Sequence, residues 1–210
     1  MLDGLIARYT FESAAQLGTD DSGNGHHGTP SGPPAAMWID DASRGGVMEL
    51  DGATEYLDIP FLQNDLAAVT VAAWVNVAGV VNWEPIYTAD GWSTGWVHFQ
   101  VKNDGKIQFS IKDSNPQLMD SLFAFTLGDY GRWFHVAAVH DQAAGTISFY
   151  VDGNLGSSQP LVAPLLARLE AGRIGGWDGG RWFHGRLDDV RFYERGLSAD
   201  EVAKVFDVTR

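Results

Sequence analysis

Apolar and polar residues alternate with a period of two along most of the chain, which is the pattern of half-buried β-strands. The alternation is clearest where Val69, Val71, Ala73, Val75 and Val77 fall on one face. The segments that share the pattern, and that we predict as strands, are 5–11, 69–77, 97–102, 107–112, 133–140, 146–151 and 185–193. Strands without intervening helices favour antiparallel pairing.

Turn and capping residues complete this picture. Asn103-Asp104-Gly105 separates two alternating segments, which predicts a β-hairpin. Ser198 and Glu201 form a capping-box pair before an apolar stripe that includes Val202 and Val205, which predicts one short C-terminal helix. The predicted fold is therefore all-β, a two-sheet antiparallel β-sandwich of jelly-roll type with that helix, in a single domain over residues 1–210.

Composition and charge narrow the classes of function. The 210 residues are 45% hydrophobic and 20% charged, as in a globular domain. A net charge of −13 disfavours nucleic acids and anionic membranes as partners. Cysteine is absent, so thiolate chemistry is excluded. Neither a signal peptide nor an apolar membrane span is recognisable, so we expect no membrane insertion. The chain is then either cytoplasmic or a domain of a longer exported chain, and the prediction is the second, with an extracellular or cell-surface location.

Four segments, in order along the chain, carry a resemblance to a known family. They are Gly4–Glu12 with Asp21–Gly28, Met48–Leu57, Trp133–Ala137 with Phe149–Gly153, and Gly185–Tyr193. In this order and spacing they resemble bacterial laminin-G-like domains of the concanavalin A-like lectin/glucanase family. The resemblance implies a sandwich of two antiparallel sheets, often with one structural calcium ion. It also implies glycan binding, commonly beside polysaccharide-degrading enzymes or in surface proteins.

A Gly- and Asn-rich loop near the N-terminus is the candidate calcium site. Calcium prefers carboxylate, amide and carbonyl oxygens, which the loop Asp21–Gly25 supplies. The resemblance places a cation there, and the predicted ligands are Glu12, Asp21, Asn24, His27 and Asp188. Asp188 and Asp189 are expected on opposite sides of a strand, with the second paired to Arg191 or Arg186. The alternative interpretation of the loop is a turn capped by aspartate.

The tryptophans are the second candidate site. Trp74 and Trp133 lie within predicted strands and are interpreted as core. Indoles in or beside Gly-rich loops can stack on the apolar faces of sugar rings. The predicted ligand-binding residues are Trp83, Trp92, Trp96, Trp177 and Trp182, with Asp90, Asp178, Arg181 and Asn115 as hydrogen-bonding groups. The alternative is that these indoles only cover the ends of the sandwich.

Catalytic patterns are present but lack their structural context. The Gly23-x-Gly25-x-x-Gly28 fingerprint is not followed by a helix, and neither is Ser93 in Gly91–Gly95. Retaining glycosidases need two carboxyls about 5 Å apart; a turn separates Glu55 from Glu49 and Asp51. The six histidines form no defensible metal set.

The sequence thus predicts a non-catalytic carbohydrate-binding module with structural Ca²⁺, whose partner is a polysaccharide or glycan. The alternative is a protein–protein adhesion or scaffold module that contacts other surface proteins. A glycoside hydrolase is the third hypothesis.

Overall fold

The computed structural model describes residues 3–113 and 117–209. Strands dominate this part of the chain, with a 3₁₀ turn at Ala14–Gln16 and one helix, α1, at Ala199–Thr209. The strands are β1 (Leu5–Tyr9), β2 (Thr29–Pro30), β3 (Trp38–Asp41), β4 (Gly45–Asp51), β5 (Leu57–Ile59), β6 (Gln63–Leu66), β7 (Ala68–Val77), β8 (Glu84–Ala89), β9 (Val97–Val101), β10 (Lys106–Ile111), β11 (Gln117–Ala124), β12 (Trp133–Asp141), β13 (Thr146–Val151), β14 (Asn154–Pro160), β15 (Ala167–Leu169), β16 (Gly172–Ile174), β17 (Gly176–Trp177), β18 (Arg181–Trp182) and β19 (His184–Tyr193).

Two large antiparallel sheets form the sandwich. Within the described residues, the eight-stranded sheet has the order β14-β13-β12-β7-β19-β4-β3, with β1 paired to β19. The seven-stranded sheet has the order β11-β10-β9-β8-β16-β5-β2. Two small two-stranded sheets complete the fold, β15-β6 and the hairpin of β17 and β18. The all-β sandwich predicted from the alternating pattern is confirmed, as is the hairpin of β9 and β10.

The main core lies between the two large sheets. The five residues of the 69–77 alternation all belong to it, and each is fully buried. Phe99 and Phe109 face them from the seven-stranded sheet and are also fully buried. Their alternation with polar neighbours directs a row of polar side chains to the outer face of that sheet, where the candidate site lies.

Helix α1 covers the outer face of the eight-stranded sheet. Ser198 Oγ accepts the Glu201 N–H, and Glu201 Oε2 accepts the Ser198 N–H, so the predicted capping box is present. Val202 and Val205 pack on Leu5 and Ala72 in a second apolar cluster. In the described part of the chain no helix is long and apolar enough to cross a bilayer.

Two expectations need correction. Trp74 is buried, as expected of a core residue, and packs 5.5 Å from the Phe206 ring of α1, but Trp133 is only half-buried. Asp188 and Asp189 do not point to opposite sides, since both line one polar cleft. The reason is a bulge in β19: Asp189 has a φ of 46°, in the left-handed region, which interrupts the strand alternation. The expected pairing of Asp189 with Arg191 is present at 2.9 Å.

Candidate functional site

A half-open cleft of about 230 Å³ lies on the outer face of the seven-stranded sheet. Its described lining consists of three indoles, one arginine and four polar side chains of the sheet: Trp83, Trp92, Trp177, Arg181, His98, Gln100, Gln108 and Ser110. Ligand pockets typically combine aromatic walls with a few placed polar groups. The volume is below the roughly 300 Å³ at which drug-sized pockets begin, so the cleft suits a small unit or a chain end.

The floor of the cleft is formed by two cross-strand pairs on β9 and β10. His98 lies opposite Ser110, and Gln100 lies opposite Gln108. All four side chains are at most 4% exposed, although they lie on the outer face of the sheet. Polar side chains buried in this way are fixed by hydrogen bonds, which gives the floor a defined set of donors and acceptors.

A directed chain of hydrogen bonds orients the floor. Arg181 Nη1 donates to Gln100 Oε1 at 3.4 Å, and Gln100 Nε2 donates to Gln108 Oε1 at 3.3 Å. Gln108 Nε2 in turn donates to Asp120 Oδ1 at 2.8 Å. Each glutamine amide carries two N–H donors and uses one in this chain. The floor is therefore pre-organised and retains hydrogen-bonding capacity for a ligand.

The indole walls come from loops at the ends of β8. Trp83 precedes this strand and Trp92 follows it, and both side chains are half-buried. The Trp92 ring centroid lies 4.5 Å from that of His98. Burying the exposed parts of these rings against a ligand would remove apolar surface from water, a favourable contribution of roughly 25 cal/mol per Å².

The small β17–β18 hairpin supplies the opposite wall. Trp177 and Arg181 are cross-strand partners in it, and the Arg181 guanidinium lies 4.6 Å from the Trp177 ring centroid. Trp177 Nε1 donates to the Gly91 carbonyl at 3.2 Å, which joins the hairpin to the loop of Trp92. Gly179 lies under the indole, where a Cβ atom would come within 1.9 Å of the ring. A side chain at position 179 would therefore displace the indole from this position.

Burial and hydrogen bonding set the charges of the site. His98 Nε2 contacts the carbonyls of Ala89 and Gly91, both at 3.1 Å. Because carbonyls only accept hydrogen bonds, Nε2 carries the proton. Burial lowers the pKa of His98 to about 4, and burial also lowers the pKa of Arg181. At neutral pH the histidine is uncharged and the arginine supplies the positive charge of the described lining.

The structure distributes the remaining candidate residues around this cleft. Asp178 is exposed and accepts the Gly91 N–H at 2.9 Å, so it pins the two loops together. Trp182 stacks on Tyr56, with centroids 5.8 Å apart, beside a neighbouring cleft. Trp96 and Asp90 are outside the described lining: Trp96 packs on Gly91, and Asp90 lies 3.2 Å from Arg173. Asn115 lies outside the described residues.

Sequence reasoning missed the four polar residues of the floor. His98 and Gln100 alternate with core residues of β9, and a residue that alternates with the core is normally solvent-exposed. One signal was present. Trp83 lies in the loop before β8, and Trp92 lies in the loop between β8 and β9. Tryptophans in loops beside an uncharged polar strand face predict that their side chains cover that face.

The N-terminal loop is held together by its own side chains. The Asp20 carboxylate accepts the N–H groups of Arg8, Ser22 and His26 at 2.9–3.0 Å. Burial raises the pKa of Asp20, but these hydrogen bonds outweigh it and the net shift is downward. The other loop residues also bind neighbouring parts of this chain. Asp21 accepts a hydrogen bond from Thr10 Oγ1, and His27 Nδ1 accepts the Asp20 N–H. Asn24 Nδ2 donates to the carbonyls of Leu5 and Ile6.

The donor set fits calcium in part. Glu12 and the Asn24 Oδ1 atom accept no hydrogen bond in the described structure, so they are open oxygens of the kind calcium prefers. Asp188 is different, because its Oδ2 lies 2.6 Å from Arg44 Nη2. It would have to exchange this arginine for an ion. Glu12 and Asp188 line the same polar cleft.

Three carboxylates line a separate cleft of about 650 Å³ on the eight-stranded sheet, together with His184 and Arg186. Glu49 Oε1 accepts from Arg186 Nε at 3.0 Å. Asp51 Oδ1 caps a turn by accepting the N–H groups of Ala53 and Thr54, and Glu55 Oε2 accepts the Asp51 N–H. These carboxylates serve as an ion-pair partner and as turn caps.

A family profile described as the concanavalin A-like lectin/glucanases superfamily matches residues 51–203. The match includes the strands that form the cleft and the helix cap.

Solved structures with the same fold include domain 4 of an extracellular arabinanase from Geobacillus stearothermophilus, in complex with arabinotriose. It has a TM-score of 0.77 and 19% identity over 98% of both chains. The botulinum neurotoxin serotype D ligand-binding domain, in complex with N-acetylneuraminic acid, has a TM-score of 0.78 and 16% identity over 99% of this chain and 52% of that one. The binding domain of Paraclostridial Mosquitocidal Protein 1 has a TM-score of 0.76 and 17% identity over 99% and 52%. The chain thus spans about half the length of these last two structures.

Proposed function

Because the chain belongs to the concanavalin A-like lectin/glucanase superfamily, we propose that it is a non-catalytic carbohydrate-binding module whose ligand occupies the cleft of Trp83, Trp92 and Trp177. Two similar structures hold saccharides, arabinotriose in one and N-acetylneuraminic acid in the other. The extracellular arabinanase also supports a role within an exported or cell-surface protein.

One observation carries the proposal: half-buried indoles surround a floor of hydrogen-bonded, uncharged polar side chains. Sugars present apolar C–H faces and hydroxyl edges, and this cleft offers a partner for each. The hydrogen-bond chain through Gln100 and Gln108 holds the polar groups in place before binding, which reduces the entropy lost on association.

Replacement of Trp92 tests the site. We expect Trp92→Ala to weaken saccharide binding about tenfold or more, since tryptophan anchors at the centre of an interface contribute about 2 kcal/mol or more. The measurement is a glycan array for the wild-type chain, followed by calorimetric titration of its hits with each variant. Trp96→Ala is the matched control, because this indole is also half-buried but lies outside the described lining.

The outcomes separate the hypotheses. Equal losses in the two variants would show that the cleft is not the site. A wild-type chain that binds no glycan on the array would favour the alternative, a protein–protein adhesion or scaffold module. The Tm of each variant is compared with that of the wild type, so that a loss of binding is separated from a loss of folding.

The non-catalytic part of the proposal rests on the carboxylates of the larger cleft. A glycosidase needs one carboxyl to transfer a proton and a second to attack or activate water. Glu49 is paired with Arg186, and Asp51 caps a turn, so neither carboxylate is presented for this chemistry.

We propose separately that the chain binds one structural Ca²⁺ ion. The proposed ligands are Glu12, Asp21, Asn24, His27 and Asp188. An ion that binds only the folded state stabilises it by about 2.7 kcal/mol at a hundredfold excess over Kd. We therefore expect millimolar Ca²⁺ to raise the Tm by about 5–10 °C relative to EGTA. Glu12→Gln should abolish that rise while leaving the Tm in EGTA unchanged. An unchanged wild-type Tm at millimolar Ca²⁺ would reject the site.

A further inference from the structure

Arg181 stands apart from the other arginines of the described structure. Eight of these have a carboxylate oxygen within 4.0 Å, and they are Arg8, Arg44, Arg132, Arg168, Arg173, Arg186, Arg191 and Arg195. Arg181 has none among the described residues, although the chain has 27 acidic residues against 14 basic ones. Because the protein is so acidic, a guanidinium without a carboxylate neighbour is unusual. It indicates that the fold keeps acidic side chains away from Arg181.

The surroundings of Arg181 hold it in one place. Its guanidinium lies 4.6 Å from the ring centroids of both Trp83 and Trp177. Guanidinium groups commonly stack on aromatic faces, an arrangement that leaves the N–H edge for hydrogen bonding. Of the five N–H donors, the one on Nη1 described above reaches Gln100. The others are available to a ligand in the cleft.

The charges around the cleft are balanced towards the positive side. No carboxylate belongs to its described lining. Asp120 is paired with Lys102, with Nζ 2.5 Å from Oδ2, whereas Asp178 keeps its negative charge and accepts the Gly91 N–H from outside the described lining. Lys112 adds positive charge at the rim, with its Nζ 5.8 Å from the Trp92 ring centroid.

From this geometry we infer that the cleft takes an anionic saccharide unit, a sugar acid whose carboxylate binds the N–H edge of Arg181. A planar carboxylate matches the fork of a guanidinium and can accept two parallel hydrogen bonds from it. The net charge of −13 repels extended polyanions. A single acidic unit in an otherwise neutral glycan therefore fits better than a fully acidic polymer. The inference rests on the proposed carbohydrate function and specifies its ligand class.

The test compares each acidic ligand with its own uncharged form. Sialylated and uronate-bearing glycans that bind the wild-type chain on an array are titrated as the free acid and as the methyl ester. We expect the acid to bind about tenfold to hundredfold more tightly, as is typical for hydrogen bonds to charged groups. Arg181→Gln should remove the difference between acid and ester. Arg181→Lys should keep part of it, because lysine retains the charge without the fork.

Arg132→Gln is the control, since this arginine is 67% exposed and pairs with Asp129 away from the cleft. Equal affinity for acid and ester, or an array on which only neutral glycans bind, overturns the inference but leaves the proposed function in place. An array without any binding removes both. If Arg181→Gln does not fold, the wild-type comparison of acid with ester still decides.

Discussion

Gly172→Ala is expected to lower the free energy of unfolding by at least about 3 kcal/mol, a fall in Tm of roughly 10 °C in a chain of this length. Gly172 lies in β16, between β8 and β5, opposite Ala89 and Ile59. A Cβ atom at this position would lie 2.1 Å from the Thr88 carbonyl oxygen and 2.8 Å from the Ala89 Cα atom. Both are backbone atoms, so a rotamer change relieves nothing and the strands must move apart.

The same displacement would reach the cleft. Strand β8 leads into the loop of Trp92, and β16 leads into the hairpin of Trp177. The bond from Trp177 Nε1 to the Gly91 carbonyl connects those two walls. We therefore expect any Gly172→Ala protein that does fold to bind saccharide more weakly than the wild type, even though Gly172 is not in the lining.

Gly156→Ala provides the matched control for chemical or thermal unfolding. Gly156 also lies in a strand, β14, but its added Cβ would come no closer than 3.5 Å to another atom, the Phe149 carbonyl oxygen. We expect a change within about 0.5 kcal/mol, because alanine restricts the unfolded chain and meets no obstacle in the folded one. Equal effects in the two variants would contradict the argument from backbone contact.

The fold could be predicted because its main signals are local. The alternation over 69–77 and the Asn103–Gly105 turn depend on neighbours a few residues away, and both structures form as expected. The failure at Asp188 and Asp189 has a different origin. A bulge depends on the register of the partner strand, which the residues of β19 do not encode by themselves.

The candidate site was only partly predictable, for a similar reason. The loop composition directed attention to Trp83, Trp92, Trp177 and Arg181, and the structure brings them to one cleft. Trp96 was predicted with them but lies outside the described lining. Which tryptophans line the cleft depends on how loops that are distant in sequence pack together. The floor residues were missed because burial of an outward strand face depends on what covers it. Arg44 was missed because its partner Asp188 is 144 residues away.

Arg44 carries the second large expected effect. It is 7% exposed, and its Nε and Nη2 atoms lie 2.7 and 2.6 Å from Asp188 Oδ2. Nη2 also donates to the Thr209 carbonyl at 2.9 Å, at the C-terminus of α1, and the guanidinium lies 4.1 Å from the Trp74 ring centroid. The last turn of α1 has no basic residue, so Arg44 supplies the cation that a helix C-terminus favours. One side chain thus joins β19, the outer sheet face and the helix.

Arg44→Met is expected to cost about 3–5 kcal/mol of unfolding free energy, because it leaves Asp188 buried without its cation. The effect should depend on pH. Burial raises the pKa of Asp188 to about 7 even with Arg44 opposing it, and loss of Arg44 raises it further. A carboxyl with a raised pKa in the folded state loses stability as pH rises from its unfolded value of 3.8 through the folded one. The deficit of Arg44→Met should therefore be smaller at pH 5 than at pH 8.

Two further variants decide whether the buried charge is the cause. Arg132→Met removes an arginine that is 67% exposed and 3.7 Å from Asp129, and we expect a change of no more than about 1 kcal/mol. Adding Asp188→Asn to Arg44→Met removes the unpaired charge while keeping its shape, and this double variant should recover stability at pH 8 more than at pH 5. A double variant no more stable than Arg44→Met at pH 8 would place the loss in the contacts with Trp74 and Thr209. Arg44 would then act by packing and helix capping, because the carboxylate of Asp188 would contribute nothing that the amide could not replace.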